Sequence, residues 1–190
     1  MSTPRALFGG AIQSTVPAAF LDASDLRQVP DTQEVFLSPD SDLSLIVEVL
    51  ELVKDEGSGE SLEAAARFHF SSLAHDNTAL SSTVTSVTLP SLPSISHSSS
   101  HPTLLGPTVL SGTQTVSKFN RPDSEADTVL ILLALWRIPE KDSDVTLCVN
   151  FPVRMGETGE EREDAEARRV FDEAVKGFKI EDYGLFAGGA

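Results

Sequence analysis

A dense group of ionisable side chains lies between positions 22 and 48, and it contains the residues best suited to chemistry. Carboxylates in such a group can act as a general acid and base, or they can form an acidic surface that meets a basic partner. Short polar side chains can instead cap turns, as Asp22 and Asp31 are placed to do. No carboxyl is marked as buried beside a solvated neighbour, so the sequence favours capping and partner recognition over catalysis. The members of the group that are set among short apolar anchors are Asp22, Asp25, Arg27, Asp31, Glu34 and Glu48.

Other catalytic and ligand-binding chemistries find little support. No Gly-Lys-Ser or Gly-Lys-Thr phosphate loop occurs, and Gly9-Gly10 is typical of a tight turn rather than a dinucleotide site. His97 and His101 have the spacing of a helical metal pair, but they lie in a Ser/Pro-rich stretch where no helix is expected. Cys148 lies in an apolar strand pattern and is expected to be a packed, unreactive thiol. We therefore expect no catalytic site, no cofactor and no metal.

The composition restricts the class of partner. The chain has 190 residues, enough for one domain spanning 1–190, and a formal net charge of -15. This charge argues against nucleic acids and anionic membranes, because both are bound through Lys and Arg. The single cysteine suits a reducing compartment, and the longest apolar run, from Val129 to Trp136, is too short to cross a bilayer. We expect a soluble monomer of the cytosol or nucleus, and its negative charge either attracts a basic protein partner or serves only to keep the chain soluble.

The elements that must position the acids are mostly strands. The segment 43–53 is rich in β-branched residues, although a helix is the alternative because Glu48 and Glu51 are three residues apart. Turn-rich residues at 38–42 predict a hairpin before it, and residues 139–144 predict another turn. A continuous apolar pattern at 128–138 indicates a strand covered on both faces. The predicted strands are 11–16, 35–37, 43–53, 107–116, 128–138 and 145–151.

Two helices and one insertion complete the prediction. Ser61 can cap a helix whose inward face carries Leu62, Ala66, Phe70 and Leu73. A second helix follows a capping-box pattern at Thr158 and Glu161. Between them, the Ser/Pro-rich segment at about 88–103 predicts a flexible insertion. Strands joined by hairpins, with helices packed on them, predict an α+β fold with a largely antiparallel sheet. The second helix has one apolar stripe, formed by Ala167, Val170, Phe171, Ala174, Val175 and Phe178.

Three segments, 7–12, 20–36 and 44–51, resemble the Ran guanine nucleotide release factors, the Mog-type nuclear import proteins. The second segment carries the long pattern Asp-x-Ser-x-Leu-Arg-x-Val-Pro-Asp-x-Gln-Glu-Val. The similarity continues at 66–70, in the hairpin 129–152 and at 184–187, and so covers most of the chain. The uncharged Ser/Pro-rich segment departs from the family pattern.

The resemblance implies a fold, a partner and an activity. The fold is a Mog/PsbP-like α/β/α sandwich with an antiparallel sheet of about six strands between helices. The partner is the small GTPase Ran, and the activity is promotion of the release of its guanine nucleotide, in support of nuclear protein import. A protein with this role is expected in the nucleus and cytoplasm. The alternative function is a non-catalytic acidic adaptor on the same fold that binds another basic protein.

The resemblance also places Glu48 and Glu51 in the Ran-contacting surface. Glu48 stands where the family often has Asp, so the charge is kept and the reach is longer. In a regular strand these two side chains point to opposite faces. They can share a surface only at a strand end, at a bulge or on a helical turn, which counts against a strand that continues beyond Val49. The expected Ran-binding set is Glu48, Glu51, Asp22, Asp25, Arg27, Asp31 and Glu34.

Overall fold

The computed structural model describes residues 1–55, 57–91, 102–117, 126–153 and 160–186, with the backbone alone for 160–163. Its helices are α1 (Leu62–Asp76) and α2 (Glu160–Lys176). Short 3-10 turns lie at Phe8–Gly10, Ala23–Asp25, Pro139–Lys141 and Tyr183–Phe186. The strands are β1 (Ser2–Leu7), β2 (Ile12–Pro17), β3 (Leu21–Asp22), β4 (Gln33–Leu37), β5 (Ser44–Glu51), β6 (Ser81–Thr88), β7 (Leu105–Val116), β8 (Asp127–Ile138), β9 (Ser143–Val153) and β10 (Lys179–Ile180).

A seven-stranded sheet in the order β3-β4-β5-β9-β8-β7-β6 forms the middle layer. Every neighbouring pair in it is antiparallel. Helix α1 packs on one face, against β7 and β8, while α2 packs on the other face, against β8 and β9. A second, three-stranded sheet, β1-β2-β10, contacts α2 through β2. The predicted α+β class and its α/β/α layering are confirmed.

The strand count is where the fold prediction is wrong, since the main sheet has seven strands rather than about six. The predicted strand at 11–16 exists as β2 but belongs to the smaller sheet. Strands β3 and β6 join the main sheet instead, and neither was predicted. Strand β6 has no apolar alternation, and it forms because its Thr and Val residues suit a strand and β7 supplies a pairing edge.

The position of β8 between the two helices explains why its sequence is continuously apolar. Leu130 and Leu132 belong to the hydrophobic core shared with α2, whereas Ile131 and Leu133 belong to the core shared with α1. Side chains alternate between the faces of a strand, so a strand covered by helices on both sides needs apolar residues at every position. The interpretation of 128–138 is confirmed.

The helices follow their predicted patterns closely. The Ser61 hydroxyl accepts a hydrogen bond from the Ala64 amide at 3.0 Å and begins α1 as expected. The buried face of α1 is slightly rotated from the prediction: it centres on Ala66 and His69, and Leu62 is only half-buried. The stripe of α2 is confirmed, with Ala167, Val170, Phe171 and Ala174 buried. Thr158 of the predicted capping box lies outside the described residues, as does 92–101 of the predicted insertion.

Candidate functional site

Asp31, Glu48 and Glu51 lie at one end of the main sheet, where β4 begins and β5 ends. Asp22 is paired with Phe36, nearer the other end of β4. Gln33 is paired with Glu48 across these strands, and the Val49 amide donates to the Thr32 carbonyl at 2.9 Å. On the other side of β5, Glu51 is paired with Ser143 at the start of β9. The loop before β4, the end of β5 and the β8–β9 turn therefore lie side by side.

Strand β5 continues through Glu51, so a break after Val49 is ruled out. Its pairing with β9 has no register shift from Ser44 to Glu51, and Glu48 and Glu51 consequently point to opposite faces of the sheet. The two residues are close only because both lie near the end of β5, and a strand end is one of the arrangements that the sequence left open.

Glu48 and Glu51 differ in environment. Glu48 is half-buried, and its Oε1 atom accepts a hydrogen bond of 2.7 Å from Gln33 Nε2. Burial, with a smaller contribution from the charge of Glu48, raises the pKa of Cys148 to about 12. Glu51 is exposed, and among the described residues nothing donates a hydrogen bond to its carboxylate. Glu51 is thus the carboxylate of β5 that is free to accept a partner's positive charge.

The remaining predicted residues divide into structural acids and exposed charges. Asp22 Oδ1 accepts hydrogen bonds from the amide and hydroxyl of Ser24 at 2.9 and 2.6 Å, which confirms the predicted cap. Glu34 Oε1 accepts a hydrogen bond of 2.6 Å from the Phe8 amide and so binds the glycine-containing turn to β4. The side chains that remain exposed in this region are those of Asp25, Arg27 and Asp31.

A buried charged network lies behind this end of the sheet, and sequence reasoning missed it. Asp144 is fully buried and accepts hydrogen bonds from Arg137 Nε at 2.8 Å, His69 Nε2 at 2.9 Å and the Val53 amide at 3.1 Å. The other guanidinium nitrogens of Arg137 donate to the carbonyls of Val53 at 2.5 Å and Gly59 at 3.3 Å. The network therefore joins α1, β8 and β9 to the segment that follows β5.

This network fixes the position of the chain segment that follows Glu51. Both the amide and the carbonyl of Val53 bond to it, and the Leu52 amide donates to the Asp142 carbonyl at 2.8 Å. The two residues directly after Glu51 are therefore fixed to the β8–β9 hairpin. The predicted turn at 139–144 was too long: β9 begins at Ser143, which puts Asp144 opposite Arg137 in the ladder. The opposite charges of Arg137 and Asp144, on either side of that turn, are the feature of the sequence that indicates this pairing.

A groove of about 800 Å³ opens at the same place. One wall is the end of β5, a second is the β8–β9 turn, and a third is the 3-10 turn with Leu185 and Phe186. The Thr103 hydroxyl donates to Glu140 at 2.6 Å, and this hydrogen bond holds the pKa of Glu140 below its usual value. Lys54 Nζ lies 2.8 Å from a carboxylate oxygen of Asp142.

Within the described residues, other kinds of site find little support. Within the described ranges, no group of three or more His, Cys, Asp and Glu side chains is placed to hold a metal ion. His97 and His101 lie outside those ranges. Cys148 is buried, as expected for a packed thiol. In the part of the chain that the structure describes, no helix combines the length and apolar content that a membrane span requires.

Comparison with known proteins gives consistent results. Residues 5–152 match the family model described as Ran-interacting Mog1 protein. The chain is 36% identical to the Ran guanine nucleotide release factor of Danio rerio, over 78% of each chain, and 40% identical to that of Homo sapiens, over 77% of this chain and 74% of the other. The nuclear import protein MOG1 of Saccharomyces cerevisiae is 32% identical over 95% of this chain and 83% of its own length.

Solved structures agree in fold over nearly the whole chain. The crystal structure of the Saccharomyces cerevisiae Ran-binding protein Mog1p superposes with a TM-score of 0.74 at 27% identity, covering 98% of both chains. A Glu-to-Ala variant of Mog1 superposes with a TM-score of 0.73 at 26% identity, covering 98% of this chain and 99% of the other.

Proposed function

This chain belongs to the Ran-interacting Mog1 family, and from that premise we propose that it binds the small GTPase Ran and promotes release of its guanine nucleotide. The observation that carries the proposal is the extent of the family match, since residues 5–152 include every acid of the predicted surface. Relatives that align over about three quarters of this chain carry the name Ran guanine nucleotide release factor. The chain acts in nuclear import and occurs in the nucleus and cytoplasm.

The contacts with Ran are made by the exposed charges at the end of the sheet. Glu51, Asp25 and Asp31 offer carboxylates, and Arg27 offers a guanidinium to an acid of the GTPase. Glu48 contributes through the exposed part of a side chain that Gln33 holds in place. The other two acids of the expected set act indirectly. Asp22 caps the turn that carries Asp25, and Glu34 fixes the Phe8–Gly10 turn to β4, the strand that follows Asp31.

Nucleotide release follows from differential affinity. A protein that binds the nucleotide-free form of a GTPase more tightly than the loaded form lowers the affinity of the nucleotide by the same factor. Carboxylates facing Lys and Arg of the GTPase speed the encounter and fix its orientation. The chain acts as a monomeric, non-catalytic regulator that needs no cofactor of its own and binds neither nucleic acid nor membrane.

A pulldown from cell extract, with and without EDTA, tests the proposal. EDTA removes Mg²⁺ and so loosens the nucleotide held by a GTPase. The expected result is retention of Ran that increases on EDTA treatment, because the nucleotide-free form is the one bound tightly. Retention of a different basic protein in place of Ran would overturn the proposal and favour the adaptor function.

A further inference from the structure

We propose that the groove at the end of β5 receives an apolar side chain flanked by a lysine or arginine, presented by the same GTPase. The groove is the space of about 800 Å³ between Thr32, the end of β5, the β8–β9 turn and the Leu185–Phe186 turn. The inference rests on the proposed function, because Glu51 is both a proposed Ran contact and part of the groove wall.

The groove is formed before any partner arrives. Its walls come from distant parts of the chain, and backbone hydrogen bonds join the end of β5 to two neighbouring segments: Val49 donates to Thr32, before β4, at 2.9 Å, and Leu52 donates to Asp142, in the β8–β9 turn, at 2.8 Å. The third wall is held by Phe186, which is buried in the main core. A preformed groove loses little conformational entropy on binding, which favours it as a contact site.

The chemistry of the lining specifies the occupant. Two of its acids are already engaged, Glu140 by Thr103 and Asp142 by Lys54. Glu51 is the remaining acid, and among the described residues it has no hydrogen-bond partner. Apolar surface from Val49 and Leu185 lies in the same groove. The lining holds these three acids and two lysines, Lys54 and Lys141, so its formal net charge is -1. A net negative charge beside apolar walls is complementary to an apolar side chain with a neighbouring cation.

The negative net charge of the whole chain argues against a second copy of this chain as the occupant of the groove. Each copy carries a formal net charge of -15, so two copies repel each other. A basic surface on the GTPase is attracted to the groove, and the groove is continuous with the acidic surface proposed to bind Ran.

The test is a substitution that fills the groove without disturbing the fold. Thr32 is exposed, and the hydrogen bond to Val49 uses only its backbone carbonyl. Thr32→Arg places a long cation in the groove, where it blocks an apolar side chain and repels a basic one. Ser71→Arg is the matched control, because Ser71 is exposed on α1, on the opposite side of the main sheet. Titration calorimetry with nucleotide-free Ran should give a Kd at least tenfold weaker for Thr32→Arg and unchanged for Ser71→Arg.

A further arm separates failure of this inference from failure of the proposed function. Glu51→Gln and the double variant with Thr32→Arg complete a double-mutant cycle, and a shared occupant predicts that the two effects are not additive. If wild type binds Ran and Glu51→Gln weakens binding while Thr32→Arg binds normally, the groove is not used and the proposed function stands. If wild type does not bind Ran, both fail. A change from dimer to monomer on Thr32→Arg, seen by ultracentrifugation of the chain alone, would show self-association and overturn the inference.

Discussion

Replacing Asp144 by Asn should destabilise the domain more than any surface carboxylate substitution. Asp144 is fully buried and accepts hydrogen bonds from Arg137, His69 and the Val53 amide. Asn keeps the shape but removes the charge, so the guanidinium of Arg137 is left buried without its counterion. Removing one partner of a buried ion pair costs about 3–5 kcal/mol of the free energy of unfolding.

Asp142 provides a control two residues away. Its carboxylate is 2.8 Å from Lys54 Nζ, as short as the contact between Asp144 and Arg137, but the side chains of Asp142 and Lys54 are 72% and 63% exposed. Exposed pairs contribute about 0–1 kcal/mol, because water screens the attraction and two mobile side chains must be ordered. Asp142→Asn should therefore have little effect at an equal ion-pair distance.

Urea unfolding and thermal unfolding, both followed by circular dichroism, give the free energy of unfolding and the Tm of both variants. In a domain of this size, 1 kcal/mol corresponds to a shift in Tm of about 2–4 °C, so Asp144→Asn should lower Tm by roughly 6–20 °C. If Asp144→Asn unfolds within 1 kcal/mol of wild type, or no more easily than Asp142→Asn, then burial does not control the strength of this network and the reasoning fails.

Two further predictions concern the core and the insertion. Because burial raises the pKa of Cys148 to about 12, the thiol should resist iodoacetamide at pH 8 and react only as the domain unfolds in urea; rapid labelling of the native protein would contradict its burial. We propose that residues 92–101 are dispensable, so a short Gly/Ser linker in their place should leave Tm within a few degrees, since loop length costs little closure entropy; loss of the cooperative transition would show that the segment packs into the core.

The sequence predicted those elements whose signal is local. The apolar stripe of α2, the Ser61 cap and the all-apolar strand β8 are each recognisable within a window of a few turns or one strand. Strand β6 lacks such a signal, because its pairing with β7 decides its conformation. Strand β1 carries Pro4 and Arg5 at a sheet edge and likewise depends on its neighbour.

In the candidate site, too, the sequence predicts the local features but not the contacts between distant residues. The acids themselves could be found from the sequence, but their roles depend on contacts far apart in the chain. Glu34 binds an amide 26 residues away, and Asp144 meets a histidine 75 residues away. Spacing along the chain contains no information on either contact. That Glu51 is free while Glu48 is held by Gln33 likewise follows only from the register of β4 against β5.

Release of labelled nucleotide from Ran is the most direct measurement of the central claim. Stopped-flow traces with fluorescent GTP and GDP should show faster release when the purified chain is added, and the effect should weaken above about 0.15 M salt, where screening acts over about 8 Å. Glu48→Lys with Glu51→Lys should abolish the acceleration while circular dichroism stays unchanged, because attraction becomes repulsion at two contacts. Release rates that stay at their intrinsic values with stoichiometric wild-type protein at low salt would contradict the account.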